Sequence, residues 1–237
     1  MSFDPITITR TPDYRLDSAP KHHPDDATLV SYASGGLSAG AQLLLQCHLA
    51  CCEHCRERVA EAEAIGGGLL EHLPLAQMKT SVDDIFAKLD LLDAAPTFST
   101  EQRPVTRPDW LPEWAEPVAQ WLETDQNWQR LAPGISQIKF DQPEFSKDKA
   151  VRLLKISPGT CMPSHGHNGS ELTLILSGSY CDETGRLCAG DVADLDPDIK
   201  HQPIADRDQD CICLIVTDAP LKFEGWIPKL MQPFFGL

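Results

Sequence analysis

Apolar positions in the first hundred residues recur every three or four positions, which is the spacing of one helix face. The pattern predicts four helices: one over residues 25–34, one that begins at Ser38, one that ends before Gly66-Gly67-Gly68, and one over Val82–Leu92. Asp25 and Ser38 are suitable N-caps, and glycine is the usual residue just beyond a helix end. Residues 21–100 are therefore predicted to form an all-α helical bundle.

The pattern changes after Asn127 to short apolar runs that are separated by glycines. These runs predict five strands, over Ile135–Phe140, Val151–Ile156, Leu172–Leu176, Val192–Leu195 and Cys211–Val216. Five prolines between Asp93 and Pro117 prevent long regular elements and indicate a linker. The predicted second domain, residues 101–237, thus consists of this Pro-rich linker and an all-β barrel.

Charge and composition exclude several classes of function. The chain has 20 basic and 35 acidic residues and a net charge of -15, which repels a phosphate backbone, so no direct binding of nucleic acid is expected. No apolar run reaches the roughly 18 residues of a membrane span, and the first ten residues do not resemble a secretion signal. The sequence therefore predicts a cytoplasmic protein, and its nine cysteines favour free thiols or metal ligands over disulfides.

The helical half contains a metal-binding pattern. His48, Cys52 and Cys55 follow the spacing His-x3-Cys-x2-Cys. Residues four apart share a helix face, and a two-residue gap suits a tight turn around one ion. A structural zinc site takes four such ligands, and the nearest candidates for the fourth are His22 and His23.

The second half contains another set of ligand types. His165 and His167 are two residues apart, so a strand places them on one face, and Glu171 is also at an even offset. His201, eleven residues after Gly190, can complete a set of three histidines and one glutamate. Imidazoles with a carboxylate suit zinc, manganese, iron or nickel, so the pattern predicts a divalent transition metal.

The stretch from His23 through Gly68 resembles the zinc-binding anti-sigma domain of the ChrR type of anti-sigma factor, in which a helical zinc domain precedes a cupin domain. The spacing from His23 to His48 matches that family, whereas His22 is one residue too far. The resemblance implies that His23, His48, Cys52 and Cys55 bind zinc. It also implies that the helices bind an extracytoplasmic-function sigma factor and cover its RNA polymerase surface.

The second half resembles a cupin, because Gly159-x5-His165-x-His167-x3-Glu171-x6-Gly178 matches the first cupin motif at every position. The second motif keeps Gly190 and His201 but departs at Pro197, Asp198 and Ala205. These departures affect the turn and the surroundings of the ligands more than the ligands themselves. The resemblance makes zinc the expected cupin metal and His201 its fourth ligand.

Cupins of the ChrR type act as sensors of reactive oxygen species such as singlet oxygen or organic hydroperoxides, so the resemblance implies release of the sigma factor under oxidative stress. Cys211 and Cys213 lie on one face of a predicted strand and are candidate redox residues. The alternative is a cupin metalloenzyme, dioxygenase-like, with a zinc-bound accessory domain, since such a metal can keep coordination positions open. No catalytic residue is assigned.

Overall fold

The computed structural model describes residues 19–76, 79–90, 107–122, 127–197, 199–219 and 221–223. The helices are α1 (Asp26–Ala33), α2 (Ala39–Cys51), α3 (Glu53–Glu71), α4 (Val82–Asp90) and α5 (Glu116–Ala119), with 3₁₀ turns at Glu113–Ala115 and Pro143–Phe145. The strands are β1 (Gln129–Ala132), β2 (Ile135–Lys139), β3 (Ala150–Ile156), β4 (His165–His167), β5 (Glu171–Ser177), β6 (Ser179–Asp182), β7 (Gly185–Cys188), β8 (Val192–Leu195), β9 (Ile204–Ala205), β10 (Cys211–Thr217) and β11 (Leu221–Phe223). Part of the predicted linker, residues 93–106, and the end of the last predicted helix, residues 91–92, lie outside the described residues.

Short polar side chains begin the first two helices. The Asp25 carboxylate accepts a hydrogen bond from the Thr28 backbone N–H at 2.6 Å, and the Ser38 hydroxyl accepts one from Ala41 at 3.3 Å. Gly35 follows α1 with a φ of 70°, a left-handed conformation that glycine adopts without a steric penalty. The predicted starts of both helices and the predicted end of α1 are therefore confirmed.

The third helix is longer than predicted. It continues through Gly66-Gly67-Gly68 to Glu71, so the prediction that the glycine triplet ends it is wrong. Glycine keeps its backbone N–H, so it weakens a helix by about 1 kcal/mol relative to alanine without interrupting the hydrogen bonds. The helix ends instead at Glu71, three residues before Pro74, because the residue that precedes a proline is disfavoured in the helical conformation.

All five predicted strands lie in one six-stranded antiparallel sheet with the order β1-β2-β3-β10-β5-β8. The other strands form a two-stranded sheet, β11-β4, and a three-stranded sheet, β7-β6-β9. The predicted closed barrel is therefore not formed among the described residues. The strands of the two smaller sheets are only two to four residues long. Among the described residues, no ladder of backbone hydrogen bonds joins these sheets to the larger one.

The helices and the six-stranded sheet share one apolar core. Helix α2 contacts β5 and β10, and its fully buried Leu44 and Leu45 belong to the same cluster as Leu174 and Leu214 of the sheet. Ile175, the next residue on β5, points to the opposite face and joins a second cluster inside the β half. The predicted division at residue 100 falls outside the described residues and remains a prediction. The cluster that contains Leu44 includes residues from both sides of this division.

Replacement of Leu44 by alanine is expected to lower the free energy of unfolding by about 2–5 kcal/mol, because it leaves a cavity in the shared core. In urea, helix circular dichroism and the fluorescence of the tryptophans, which all follow residue 109, should change in one coincident transition. Leu69→Ala is the control, since Leu69 is 67% exposed, and should change stability by no more than about 0.5 kcal/mol. Two separate transitions in the unmodified protein would contradict a shared core.

Candidate metal centres

Four side chains converge where α2 meets α3. His23, His48, Cys52 and Cys55 each place one nitrogen or sulfur so that the four atoms lie within 4.8 Å of one another. Cys52 lies between the two helices in an extended conformation, with φ -115° and ψ 106°, and its sulfur accepts a hydrogen bond from the Cys55 backbone N–H. The predicted tight turn is thus at Cys52, just beyond the helix that carries His48.

The distances within this cluster fit a zinc ion. His48 Nε2 lies 3.2 Å from Cys55 Sγ, and His23 Nδ1 lies 3.4 Å from the sulfurs of both Cys52 and Cys55. A tetrahedral zinc ion with its usual bond lengths separates nitrogen and sulfur ligands by about 3.4–3.8 Å, so both His23 distances match and the His48 distance is slightly shorter. Two imidazoles and two thiols are also a common donor set of structural zinc.

The two thiols differ in acidity. A hydrogen bond from the Cys55 thiol lowers the pKa of Cys52 well below its usual range. That hydrogen bond, together with burial, raises the pKa of Cys55 well above its usual range. The hydrogen bond therefore favours the thiolate form of Cys52, and a bound cation would favour that of Cys55.

Contacts around the cluster distinguish the histidines of this region. His48 Nδ1 donates to the Gly190 carbonyl at 2.8 Å, which directs Nε2 and its lone pair toward the sulfurs. His22 lies outside the cluster, and its ring nitrogen Nδ1 is 3.3 Å from the Asp191 carboxylate. The structure therefore brings His23, not His22, to the other three predicted ligands. His54 is exposed, with its ring centroid 4.9 Å from that of His23.

A second cluster lies inside the β half. His165 of β4, Glu171 of β5 and His201 place their ligand atoms within 4.8 Å of one another, and all three side chains are buried. His165 and His201 pair through an isolated β-bridge, and their Nε2 atoms are 3.0 Å apart. His167 pairs with Leu221 along the backbone, but its side chain lies outside the described residues, so its role as a ligand remains a prediction.

Hydrogen bonds hold both imidazoles of this cluster. His165 Nδ1 donates to the Pro163 carbonyl at 2.9 Å, and His201 Nδ1 donates to the Asp182 carboxylate at 2.8 Å. Each ring therefore directs Nε2 toward the other ligands. Burial, with a smaller effect of His201, lowers the pKa of His165 to about 4, so its ring is neutral at pH 7 and can bind a metal.

Glu171 supplies the oxygen of the cluster. Its Oε1 accepts a hydrogen bond from the Thr173 hydroxyl at 3.1 Å, and burial raises the pKa of the carboxyl group. A positive ion beside the carboxylate would offset that effect of burial. The donor set fits a divalent transition metal but does not distinguish zinc from manganese, iron or nickel.

The sequence did not reveal the outer partners of either cluster. Asp182 stands at the start of the turn Asp-Glu-Thr-Gly, where a carboxylate is ordinary. Gly190 acts through its backbone carbonyl, a group that every residue carries. Only the fold places these groups next to His201 and His48.

A cavity of about 40 Å³ borders the second cluster, and Cys213 and Tyr180 are among its lining residues. Both candidate redox residues are buried on β10, but Cys211 does not line this cavity. Burial raises the pKa of Cys211 to about 12 and that of Cys213 well above its usual range. Because the thiolate is the reactive form, both thiols are poor nucleophiles in this conformation, and their redox role remains a prediction.

Comparisons with known proteins agree with this arrangement. Residues 120–220 match the model of the ChrR cupin-like domain. The anti-sigma-E factor ChrR of Cereibacter sphaeroides is 39% identical over 221 residues, which are 92% of this chain and 99% of the relative. The chain belongs to the ChrR family of anti-sigma factors. The family resemblance predicted from the two motifs is confirmed.

A solved structure of the same family matches most of the chain. It is the crystal structure of Rhodobacter sphaeroides SigE in complex with the anti-sigma factor ChrR, with a TM-score of 0.66 and 35% identity. The match covers 84% of this chain and 100% of that chain. Among the described residues, no helix is both long and apolar enough to cross a bilayer.

Thiol labelling is expected to separate exposed from buried cysteines. In native protein at pH 8, iodoacetamide should modify the exposed Cys161, Cys181 and Cys188 at least about 100-fold faster than Cys211 and Cys213, whose thiols are buried and have a raised pKa. Mass spectrometry of the peptides measures each site. Protein unfolded in urea is the control and should label all of them alike. Native labelling of Cys213 as fast as Cys181 would contradict the burial of this thiol.

Proposed function

We propose that this protein is an anti-sigma factor that binds and inhibits an extracytoplasmic-function sigma factor through its N-terminal helices. The observation that carries the proposal is the match along nearly the whole chain to ChrR, a relative whose structure is known in complex with SigE. Both halves fall within the match, which covers 92% of the chain. The proposed place of action is the cytoplasm, where the sigma factor meets RNA polymerase.

An exposed apolar surface on the helices supports the proposal. It lies on the C-terminal half of α3 and on α4, where large apolar side chains are 44–70% exposed; we call this the α3–α4 surface. Its members are Ile65, Leu69, Leu70, Leu73, Val82, Ile85 and Phe86. Large apolar side chains that are exposed on two successive helices are typical of a protein interface, and apolar contacts of this kind suit a helical partner.

Zinc at the N-terminal cluster would have a structural role. His23 lies before α1, His48 on α2, and Cys52 and Cys55 at the start of α3. An ion held by all four would fix the ends of three helices relative to one another and would contribute directly to the folding free energy. The α3–α4 surface would then project from a rigid base.

The second cluster would act as the sensor. We propose that zinc or another divalent transition metal is bound by His165, His167, Glu171 and His201. An oxidant would alter this half of the molecule and weaken the binding of the sigma factor by the helices. Two sites on one chain, each with its own ligand, are what such a switch requires.

Cys213 is the proposed redox residue nearest this cluster, with Cys211 two residues away on β10. In a reaction with a hydroperoxide, the sulfur would attack the distal oxygen, the O–O bond would break, and a sulfenic acid and an alcohol would form. The added oxygen would place a polar group among the apolar side chains of this cluster. Such a lesion would displace the sheet against which α2 lies.

The size of the cavity weighs against the alternative of a cupin metalloenzyme. The volume of about 40 Å³ beside the cluster holds only one or two water-sized molecules, whereas sites for small organic molecules usually span about 300 Å³ or more. The sensor is therefore favoured over the dioxygenase-like enzyme.

A charge on the α3–α4 surface is expected to weaken binding of the sigma factor. Leu70→Asp and Phe86→Asp should each raise the Kd for the extracytoplasmic-function sigma factor of the same genome at least 100-fold, about 2.7 kcal/mol, because a carboxylate would be buried in the interface. Titration calorimetry with the full-length chain measures this. Ile204→Asp, at a residue that is 45% exposed on β9, is the matched control and should not change the Kd. Unchanged binding by both helix variants would refute this surface as the interface.

Loss of the cupin ligands is expected to suppress release. The unmodified chain in complex with the sigma factor should release it when treated with an organic hydroperoxide, and Glu171→Gln should slow that release at least 10-fold because the metal is lost. Size-exclusion chromatography of the treated complex measures the released fraction. Glu116→Gln, an exposed residue of α5, is the control. Release from Glu171→Gln at the unmodified rate would argue against the sensor role.

A further inference from the structure

The turn between β7 and β8, residues Cys188–Asp191, contacts the N-terminal Cys/His cluster from the cupin half. Its Gly190 carbonyl accepts the hydrogen bond from His48 Nδ1, across 142 positions of sequence. Gly190 has a φ of 94°, in the left-handed region that other residues rarely adopt, so the direction of this carbonyl depends on glycine. The turn therefore sets the orientation of one predicted zinc ligand.

Asp191 holds the segment that carries a second ligand. One carboxylate oxygen accepts hydrogen bonds from the backbone N–H groups of Lys21 at 2.6 Å and His22 at 3.0 Å. The other oxygen accepts one from the Cys188 N–H at 2.8 Å. Asp191 is only 3% exposed, and the two residues it holds come directly before His23.

A backbone contact continues this attachment. The Val192 N–H donates to the His22 carbonyl at 3.1 Å, and the Asp25 N–H donates to the Asp194 carboxylate at 3.1 Å. His23 is thus enclosed between two points at which the chain is bonded to β8 and the turn before it. The position of its ring relative to the cysteines depends on the cupin half.

The same strands connect the turn to the second cluster. β6 and β7 form a hairpin in which Asp182 pairs with Gly185 at the tip and Ser179 pairs with Cys188 at the open end. Asp182 accepts the hydrogen bond from His201, while Cys188 begins the turn that contacts the first cluster. The hairpin is four residue pairs long, so about 10 Å separates its two ends.

We propose that Asp191 is a positioning residue of the N-terminal zinc site, and that the β7–β8 turn makes the zinc affinity of the helical half depend on its docking to the cupin half. The inference rests on the proposed zinc site. Outer hydrogen-bond partners of metal ligands commonly change metal affinity 10- to 100-fold, and here those partners come from the opposite half of the chain. Zinc retention by the helices and the state of the cupin half would then be linked.

Asp191→Asn is the sharpest change, because three backbone N–H groups donate to the two oxygens of this carboxylate. An amide keeps the shape but must direct its own N–H groups at one of these donors. Asp148→Asn is the matched control. Asp148 also joins the helices to the β half, by accepting from the Ser38 hydroxyl and the Gly40 N–H, but it does so at the far end of α2 from His48.

The test uses full-length protein with cobalt(II) in place of zinc, because cobalt–thiolate absorption reports only the site with cysteine ligands. Zinc affinity follows from displacement of cobalt and from competition with a chromophoric chelator. Asp191→Asn is expected to weaken zinc binding at the thiolate site 10- to 100-fold and to shift the cobalt ligand-field bands. Asp148→Asn should change the affinity less than about threefold and leave the bands in place.

Equal affinity and spectra for Asp191→Asn and the unmodified chain would overturn the proposal, as would an equal loss in Asp148→Asn. If Asp191→Asn does not fold, Asp191→Glu replaces it; this variant keeps both acceptor oxygens but displaces them by one methylene. Its zinc affinity should fall at least threefold, and an unchanged value would overturn the proposal. Absence of cobalt–thiolate absorption in the unmodified chain would instead refute the zinc site itself.

Discussion

Burial of α2 against the six-stranded sheet is the interaction on which the rest of the structure depends. Leu44 and Leu45 are fully excluded from water, and so are Cys47 and His48 one turn later. Residues three and four apart lie on one helix face, so the apolar face that fills the core ends in the imidazole of the first metal cluster. The hydrophobic effect thus fixes where His48 lies, and hydrogen bonds fix how its ring is turned.

The two clusters orient histidine in the same way but differ in the chemistry of their other ligands. In three of the rings, Nδ1 donates a hydrogen bond to an oxygen, which leaves Nε2 for a metal; these are His48, His165 and His201. Thiols complete the first cluster, and sulfur ligands suit a closed structural site. A carboxylate completes the second beside a small cavity, and mixed nitrogen and oxygen ligands there allow a reactive metal.

Sequence reasoning succeeded where a feature depends on neighbouring residues. The caps at Asp25 and Ser38 and the five strands of the larger sheet follow local rules, and motif spacing alone was sufficient to identify the family. It failed where distant contacts decide the outcome. The spacing to His48 already favoured His23 over His22, but it did not reveal what holds this segment in place: Asp191, about 170 positions away, accepts from the backbone of Lys21 and His22. The open sheet likewise reflects the pairing of short strands, which a pattern of apolar runs does not specify.

The glycine triplet of α3 has a mechanical consequence. A Cβ atom added at Gly66, Gly67 or Gly68 would meet nothing within 4 Å, so close packing does not explain the absence of side chains. Three glycines lower the stability of the helix in this stretch by about 3 kcal/mol relative to three alanines. The stretch separates the start of α3, at the Cys/His cluster, from most of the exposed apolar side chains of the α3–α4 surface. The helix is therefore less stable at the triplet than at its start, and the segment beyond the triplet is more flexible than the segment before it. A partner that binds beyond the triplet would have to order this stretch, and the conformational entropy lost there would lower its affinity.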